Sequence, residues 1–426
     1  MEFCQNISIM KKHKLQPESL MMSYGYKPEL SEGAVKCPIF QTSTFVFRKA
    51  EEGKAFFEIA YGLRLKKAKE EQGLIYSRIN NPDLEILENR LSLWDRAEDC
   101  AVFESGMSAI TTAFLEFLKP NDVVLCSSPL YGGTDHFINH FLPKFGIRAI
   151  EFCPFDTKED LISKIASKGD GRHLAMIYIE TPANPTNTLI DLEMCREVAD
   201  HFQSQRPEKI IIAVDNTYMG PLWQQPLRFG ADLSLYSATK YIGGHSDVIA
   251  GAVCGNKEVI GRMKVLRTFL GNMAGPWTGW LLLRSLETLK VRMEKQAANA
   301  LKVVNFLKSH PKIEKVYSLA MLQPSDGRQF EIYKKQYSSA GAMIAFDIKG
   351  GEKEAFAFLN KLKLIKLAVS LGSTESLAEH PATMTHAGVE PEHRHRMNIT
   401  EKMVRLSIGV ENYRDLIWDT KQALAD

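Results

Sequence analysis

Between about residues 76 and 255, short apolar runs alternate with helical stretches, and this alternation leaves the chain few architectures to choose from. Cys100 to Glu104 (CAVFE) reads as a strand that passes through Gly106 into a helical segment reaching Leu118. Asp122 to Cys126, Leu174 to Ile179, Ile210 to Val214, Leu233 to Tyr236 and Ile249 to Cys254 are further strand candidates. Runs without a polar face belong to strands covered on both sides, so an α/β protein with a mostly parallel central sheet is expected. Such sheets bind ligands at the carboxyl ends of their strands.

Around that segment the texture differs. Residues 1–75 lack strong strand signals and read as an N-terminal arm, with Phe56 to Gln72 patterned as a charged amphipathic helix. Residues 76–279 form the expected large domain. Residues 280–426 form a smaller C-terminal α+β domain, opening with one long helix from Trp280 to Leu307 and including an Ala342 to Ile348 strand. With 45% hydrophobic and 24% charged residues, a core of this size needs neither disulfides nor metals. A formal charge of +2 gives no general attraction to nucleic acid or anionic membrane, and the Lys11 to Lys14 run (KKHK) reads as a solvated tail. The seven cysteines are odd in number and never in CxxC spacing, against both a disulfide framework and a zinc site. Met1 to Leu20 has no continuous apolar stretch, so a cytoplasmic setting is expected.

The chemistry starts from Ser237-Ala238-Thr239-Lys240, directly after a strand. A lysine there forms a Schiff base with an aldehyde cofactor if a shielded pocket lets its ammonium lose a proton, and the two hydroxyls are placed for a phosphate. A solvated lysine is the plainer reading. Asp215 ends the strongest apolar run, IIIAVD, where a buried carboxylate needs a cation or donors. A protonated pyridine nitrogen is one such cation, and an Asx-turn at the strand exit is the alternative. Ser105-Gly106-Met107-Ser108 lies at a strand-to-helix junction, where backbone N–H groups receive an anion. Tyr131, in LYGGT, has a ring able to lie against an aromatic cofactor, or is an ordinary loop aromatic. Asn184, in ETPANPTN, follows another strand and offers an amide. Arg405 stands inside the apolar VRLSIG run and needs a carboxylate, either from a substrate or from an internal Asp or Glu.

These motifs together resemble the Cys/Met-metabolism family of pyridoxal-phosphate (PLP) enzymes, from about Leu30 to the C-terminus. The resemblance rests on YSRINNP (Tyr76 to Pro82), ESGMSAI, LYGGT, ETPANPTN, VDNTY, SATKYIGGHSD, SLGSTESLAEHPATMTH (Ser370 to His386) and RLSIGVE (Arg405 to Glu411). It implies the aspartate-aminotransferase type fold (fold type I) and a homotetramer of two intimate dimers. It also implies that Lys240 carries pyridoxal 5'-phosphate and that Asp215 partners the pyridine nitrogen. Tyr131 would stack on the ring and act as acid–base group near the leaving sulfur. Ser105, Gly106, Met107, Ser237 and Thr239 would hold the phosphate, Asn184 the phenolic oxygen, and Arg405 with Ser370 the substrate carboxylate. Tyr76 and Arg78 would complete the phosphate site from a neighbouring subunit, unless Arg78 makes an ion pair within its own chain.

The implied activity is that of a PLP-dependent carbon–sulfur lyase of sulfur amino acids, of the methionine γ-lyase or cystathionine γ- or β-lyase kind. The alternative is γ-replacement of the cystathionine γ-synthase kind. Val369, immediately before Ser370, is similar to methionine γ-lyases, whereas Gly133 resembles cystathionine γ-lyases, and Gly271-Asn272 replaces the Lys-Asp of methionine γ-lyases. A rival from another class is a non-catalytic nucleotide-binding or regulatory α/β protein, which the lack of GxGxxG after any strand disfavours. His380, His386, His393 and His395 cluster in sequence without metal-motif spacing, so no metal is expected.

Overall fold

The computed structural model describes residues 15–67, 70, 73–168 and 170–425. The Lys11 to Lys14 run and Cys4 lie outside the described residues. Seven strands make the larger sheet: β1 (Asp99–Phe103), β2 (Val123–Ser127), β3 (Arg148–Phe152), β4 (Leu174–Glu180), β5 (Ile211–Asp215), β6 (Leu233–Ser237) and β7 (Gly251–Gly255). Their order is β1-β7-β6-β5-β4-β2-β3. β3, β2, β4, β5 and β6 pair in parallel, while β7 runs antiparallel to both β6 and β1. The mostly parallel sheet read from the apolar runs is therefore present, with one reversed strand inserted next to its edge. Alternate residues of each strand feed different cores. Val124, Cys126, Met176 and Tyr178 enter one, and Val123, Leu125, Ile177 and Ile179 the other. Burial on both faces is why these strands read as continuous apolar runs.

A five-stranded sheet follows, in the order β10-β11-β12-β9-β8. Its strands are β8 (Ile313–Tyr317), β9 (Met343–Ile348), β10 (Lys366–Leu367), β11 (Leu377–Glu379) and β12 (Met403–Ser407). Among the described residues, no helix is long and apolar enough to cross a membrane.

Two helix expectations need correcting. The helix expected over Phe56 to Gln72 instead spans Ala50–Ala60. Gly62, at φ +68°, turns the chain, and Arg64 reaches back to Glu58 (2.8 Å) and forward to Glu70 (2.6 Å). The charges that gave the segment its helical look thus pair across a loop. The single helix expected from Trp280 to Leu307 is two, Pro276–Leu286 and Leu289–Lys308. The break at Glu287 and Thr288 lets the first pack on the Pro82–Asp95 helix and the second on the Tyr413–Ala423 helix and β8.

Local chemistry places the helix starts. Asn81 caps the Pro82–Asp95 helix by accepting from Asp83 N–H, and Asn256 caps Lys257–Leu270 through Val259 N–H. Ser105 caps Gly106–Phe117 by accepting from Ser108 N–H at 3.0 Å.

Candidate active site

The carboxyl ends of β4, β5 and β6 carry Glu180, Asp215 and Ser237 to the wall of one cavity of about 620 Å³. Lys240, three residues beyond β6, lines the same space and donates from Nζ to Ser370 Oγ at 3.0 Å. Burial lowers the Lys240 pKa, with the nearby Arg405 charge adding to the effect. A lysine in this setting reaches its nucleophilic, neutral form more readily than a solvated one.

Opposite the end of β6, Gly106 opens the Gly106–Phe117 helix against Ser237. A methyl on Gly106 would lie 2.8 Å from Ser237 Cβ and 2.9 Å from its Cα, so only glycine permits this approach. Because the first N–H groups of a helix have no partner within it, Gly106 and Met107 present donors at this point. Thr239 is fixed nearby, its Oγ1 donating to Ala250 O (3.2 Å) and accepting from Ala250 N–H (3.0 Å).

Asp215 is held by Thr217 N–H on Oδ1 (3.0 Å) and by Tyr178 Oη on Oδ2 (3.5 Å). Burial raises its pKa against the pull of those donors. A cation placed against Asp215 would relieve that cost. The buried lysine of lowered pKa, the glycine cradle at a helix start and the buried carboxyl fit a cofactor bearing an aldehyde, a phosphate and a basic ring nitrogen.

Tyr131 is half exposed at the cavity mouth, and its N–H donates to Glu180 Oε2 at 2.6 Å. Asn184 N–H donates to Glu180 Oε1 at 3.3 Å. Asn184 Oδ1 accepts from Arg405 Nη1 (3.0 Å) and Tyr218 Oη (3.5 Å), which leaves its amide nitrogen for another acceptor. Arg405, 3% exposed, also donates from Nη2 to Ser370 O at 2.7 Å. Its charge partner is internal: Glu379 Oε1 lies 2.9 Å from Nη1. Ser370 sits at φ +97°, a conformation costly for any residue with a side chain, and is pinned by Arg405 on its carbonyl and Lys240 on its hydroxyl.

One chain thus brings together every nominated residue except two. Tyr76 and Arg78 lie outside this cavity. Arg78 donates to Thr268 O at 2.7 Å, stands over the Tyr76 ring and lines a separate hollow with Asn80 and Arg267. The intrachain ion pair considered for Arg78 is not what holds it. His380 and His386 are buried: His380 bridges Thr383 Oγ1 and Glu401 O, and burial lowers the His386 pKa to about 4, so its ring is neutral. Glu180, Thr217, Tyr218, Glu379 and Thr385 belong to the site or its support and were not nominated. Glu180 ends the LAMIYIE run just as Asp215 ends its own, and the same strand-end signal would have found it.

A family model described as "Cys/Met metabolism PLP-dependent enzyme" matches residues 18–425. The chain is 41% identical over 394 residues to an L-methionine gamma-lyase of Treponema denticola, covering 92% of each protein. It is 40% identical over 353 residues to the cystathionine gamma-lyase of Homo sapiens, covering 83% of this chain and 84% of that protein. The crystal structure of cystathionine gamma synthase from Xanthomonas oryzae pv. oryzae in complex with cystathionine superposes with a TM-score of 0.84 at 30% identity, covering 97% of this chain and 98% of that one.

Proposed function

The chain belongs to the Cys/Met-metabolism family of PLP-dependent enzymes, and from that premise we propose that it is a carbon–sulfur lyase that eliminates a thiol from a sulfur amino acid, leaving a 2-oxo acid and ammonia. The observation that carries the reading is Lys240 Nζ, 3.0 Å from Ser370 Oγ, in a cavity it shares with Asp215 and Arg405.

In this reading Lys240 holds PLP covalently, Asp215 keeps its ring nitrogen protonated, and Ser105, Gly106, Met107, Ser237 and Thr239 hold its phosphate. Asn184 donates its free amide to the phenolic oxygen. PLP supplies an electron sink for the negative charge that develops at the substrate's Cα. Arg405 and Ser370 hold the substrate carboxylate, which fixes Cα relative to Lys240. The freed Lys240 Nζ takes the α-proton, and burial, by lowering its pKa, raises the share of the neutral form that can do so. Tyr131, at the mouth, moves a proton to the departing sulfur. Tyr76 and Arg78 of a neighbouring subunit complete the phosphate site, so the active unit is a dimer within a homotetramer. Residues 1–75 are the arm of each chain, and the enzyme works in the cytoplasm.

A second reading is γ-replacement, supported by the 0.84 TM-score to a cystathionine gamma synthase. The rival non-catalytic nucleotide-binding reading has no counterpart among the relatives named above. Incubation with methionine, cystathionine, homocysteine or cysteine, each with and without a thiol acceptor, separates the readings. The lyase releases 2-oxo acid and ammonia without an acceptor. Product that forms only when an acceptor is present would replace elimination by γ-replacement.

A further inference from the structure

We propose that Glu379 is a positioning residue of the carboxylate site, setting both the orientation of Arg405 and the strength with which Arg405 draws a substrate's carboxylate. The inference rests on the assignment of Arg405 to that carboxylate. Glu379 and Arg405 are register partners on the antiparallel strands β11 and β12, so backbone pairing delivers the two charges to each other. Glu379 is fully buried and Arg405 nearly so, with 2.9 Å between Oε1 and Nη1. Thr385 Oγ1 donates to the same Oε1 at 2.9 Å, a second hold on the oxygen that faces Arg405.

Arg405, Asn184, Ser370 and Thr385 line the cavity, whereas Glu379 does not. Glu379 therefore acts on a ligand through Arg405. Three groups hold the guanidinium: Asn184 Oδ1 accepts from Nη1, the Ser370 carbonyl accepts from Nη2, and the Glu379 carboxylate stands as ion-pair partner to Nη1. Only Glu379 among them brings a charge, and a buried guanidinium without a counter-charge is unfavourable. The resident carboxylate thus balances the buried guanidinium and fixes it before any substrate arrives.

The same arrangement weakens capture. An incoming carboxylate meets a cation already flanked by an anion, so Glu379 repulsion offsets part of Arg405 attraction. The site then binds an amino acid without retaining the carboxylate of the 2-oxo acid product. Glutamine at this position would keep the size, the oxygen facing Arg405 and the acceptor for Thr385 while removing the charge. Aspartate would keep the charge and draw the acceptor back by one carbon.

The test uses PLP-loaded protein and 4-(methylthio)butanoate, which has methionine's carboxylate and thioether but no amine to react. Calorimetry gives its Kd, and steady-state turnover of the preferred sulfur amino acid gives KM and kcat separately. Glu379→Gln is expected to bind the probe about tenfold tighter and to lower KM. Glu379→Asp is expected to leave the probe's affinity no tighter than wild type and to lower kcat, because Arg405 shifts. Thermal unfolding checks that each variant is folded. A Glu379→Gln affinity equal to or weaker than wild type overturns the proposal, and so does equal tightening by Gln and Asp. If Glu379→Gln does not fold, an Asp variant with wild-type kcat overturns the orienting role. Arg405→Gln distinguishes the layers. Wild-type probe affinity in that variant removes the carboxylate assignment itself, whereas lost affinity beside an indifferent Glu379→Gln removes only the role of Glu379.

Discussion

Glu180 and Asp215 are register partners at the ends of two adjacent parallel strands, so two buried carboxyls stand side by side at the cavity wall. Burial raises the pKa of both, and the charge of Asp215 raises Glu180 further. In the unfolded chain both ionise near the ordinary carboxylate value. As pH climbs past that value the unfolded state loses protons first, so the cofactor-free protein loses stability until the folded carboxyls ionise as well. Glu180→Gln removes one of the two groups. Its chemical-denaturation midpoint should fall less steeply than wild type between about pH 5 and 8, apart from a constant offset of about 1 kcal/mol for the acceptor lost to Tyr131 or Asn184 N–H. Parallel curves for the two proteins would mean that folding does not raise the Glu180 pKa.

Lys240→Ala should remove both the cofactor's covalent tether and the proposed proton carrier. Turnover is expected to fall by about a thousandfold or more. Borohydride treatment followed by peptide mass spectrometry should find a PLP adduct on Lys240 in wild type and none in the variant. Near-normal turnover would place the chemistry elsewhere in the cavity.

Gly106→Ala should weaken PLP binding by about tenfold or more, because the added methyl meets the Ser237 backbone and pushes the helix start away from the phosphate end. Equilibrium dialysis of PLP measures this directly. Unaltered affinity would show that the cradle is not where the phosphate sits.

Arg78→Ala and Lys240→Ala, each inactive alone, should complement when mixed. Random exchange into dimers restores both residues at about a quarter of the sites, so about a quarter of wild-type activity is expected. Differently tagged chains establish that exchange has occurred. Verified heterodimers without recovered turnover would return Arg78 to the Thr268 contact it makes within its own chain.

The elements legible in the sequence were those whose environment is uniform along their length. β4 and β5 are buried on both faces, so apolar content alone marks them. β3, an edge strand of sequence RAIEF, alternates exposed and buried positions and carries two charges, which hid it. The break between the Pro276–Leu286 and Leu289–Lys308 helices is imposed by their different packing partners, which a helical period running through both cannot report. The candidate site divides in the same way. Lys240, Asp215 and Gly106 lie next to strand ends and were visible. Glu379 pairs with Arg405 across two strands separated by residues 380–402, which include the Pro391–Arg396 helix, and nothing local to its own segment marks it as a partner for that arginine.

The reversed strand β7 also orders events in time. β1 hydrogen-bonds into the sheet through β7 alone, and β7 is made about 150 residues later. During synthesis β2 to β6 can assemble while β1 waits, with the Ser105-Gly106 turn that follows it held from the β6 side by Ser237 but not yet from the β7 side. Gly251, the first residue of β7, packs so tightly on that turn that a methyl would sit 2.1 Å from Ser105 O. The Gly106 end of the cavity is therefore completed late, by the arrival of residues 251–255, and a nascent chain ending before them would have Lys240 and the Gly106–Ser237 approach but not the strand that fixes the turn from its other side.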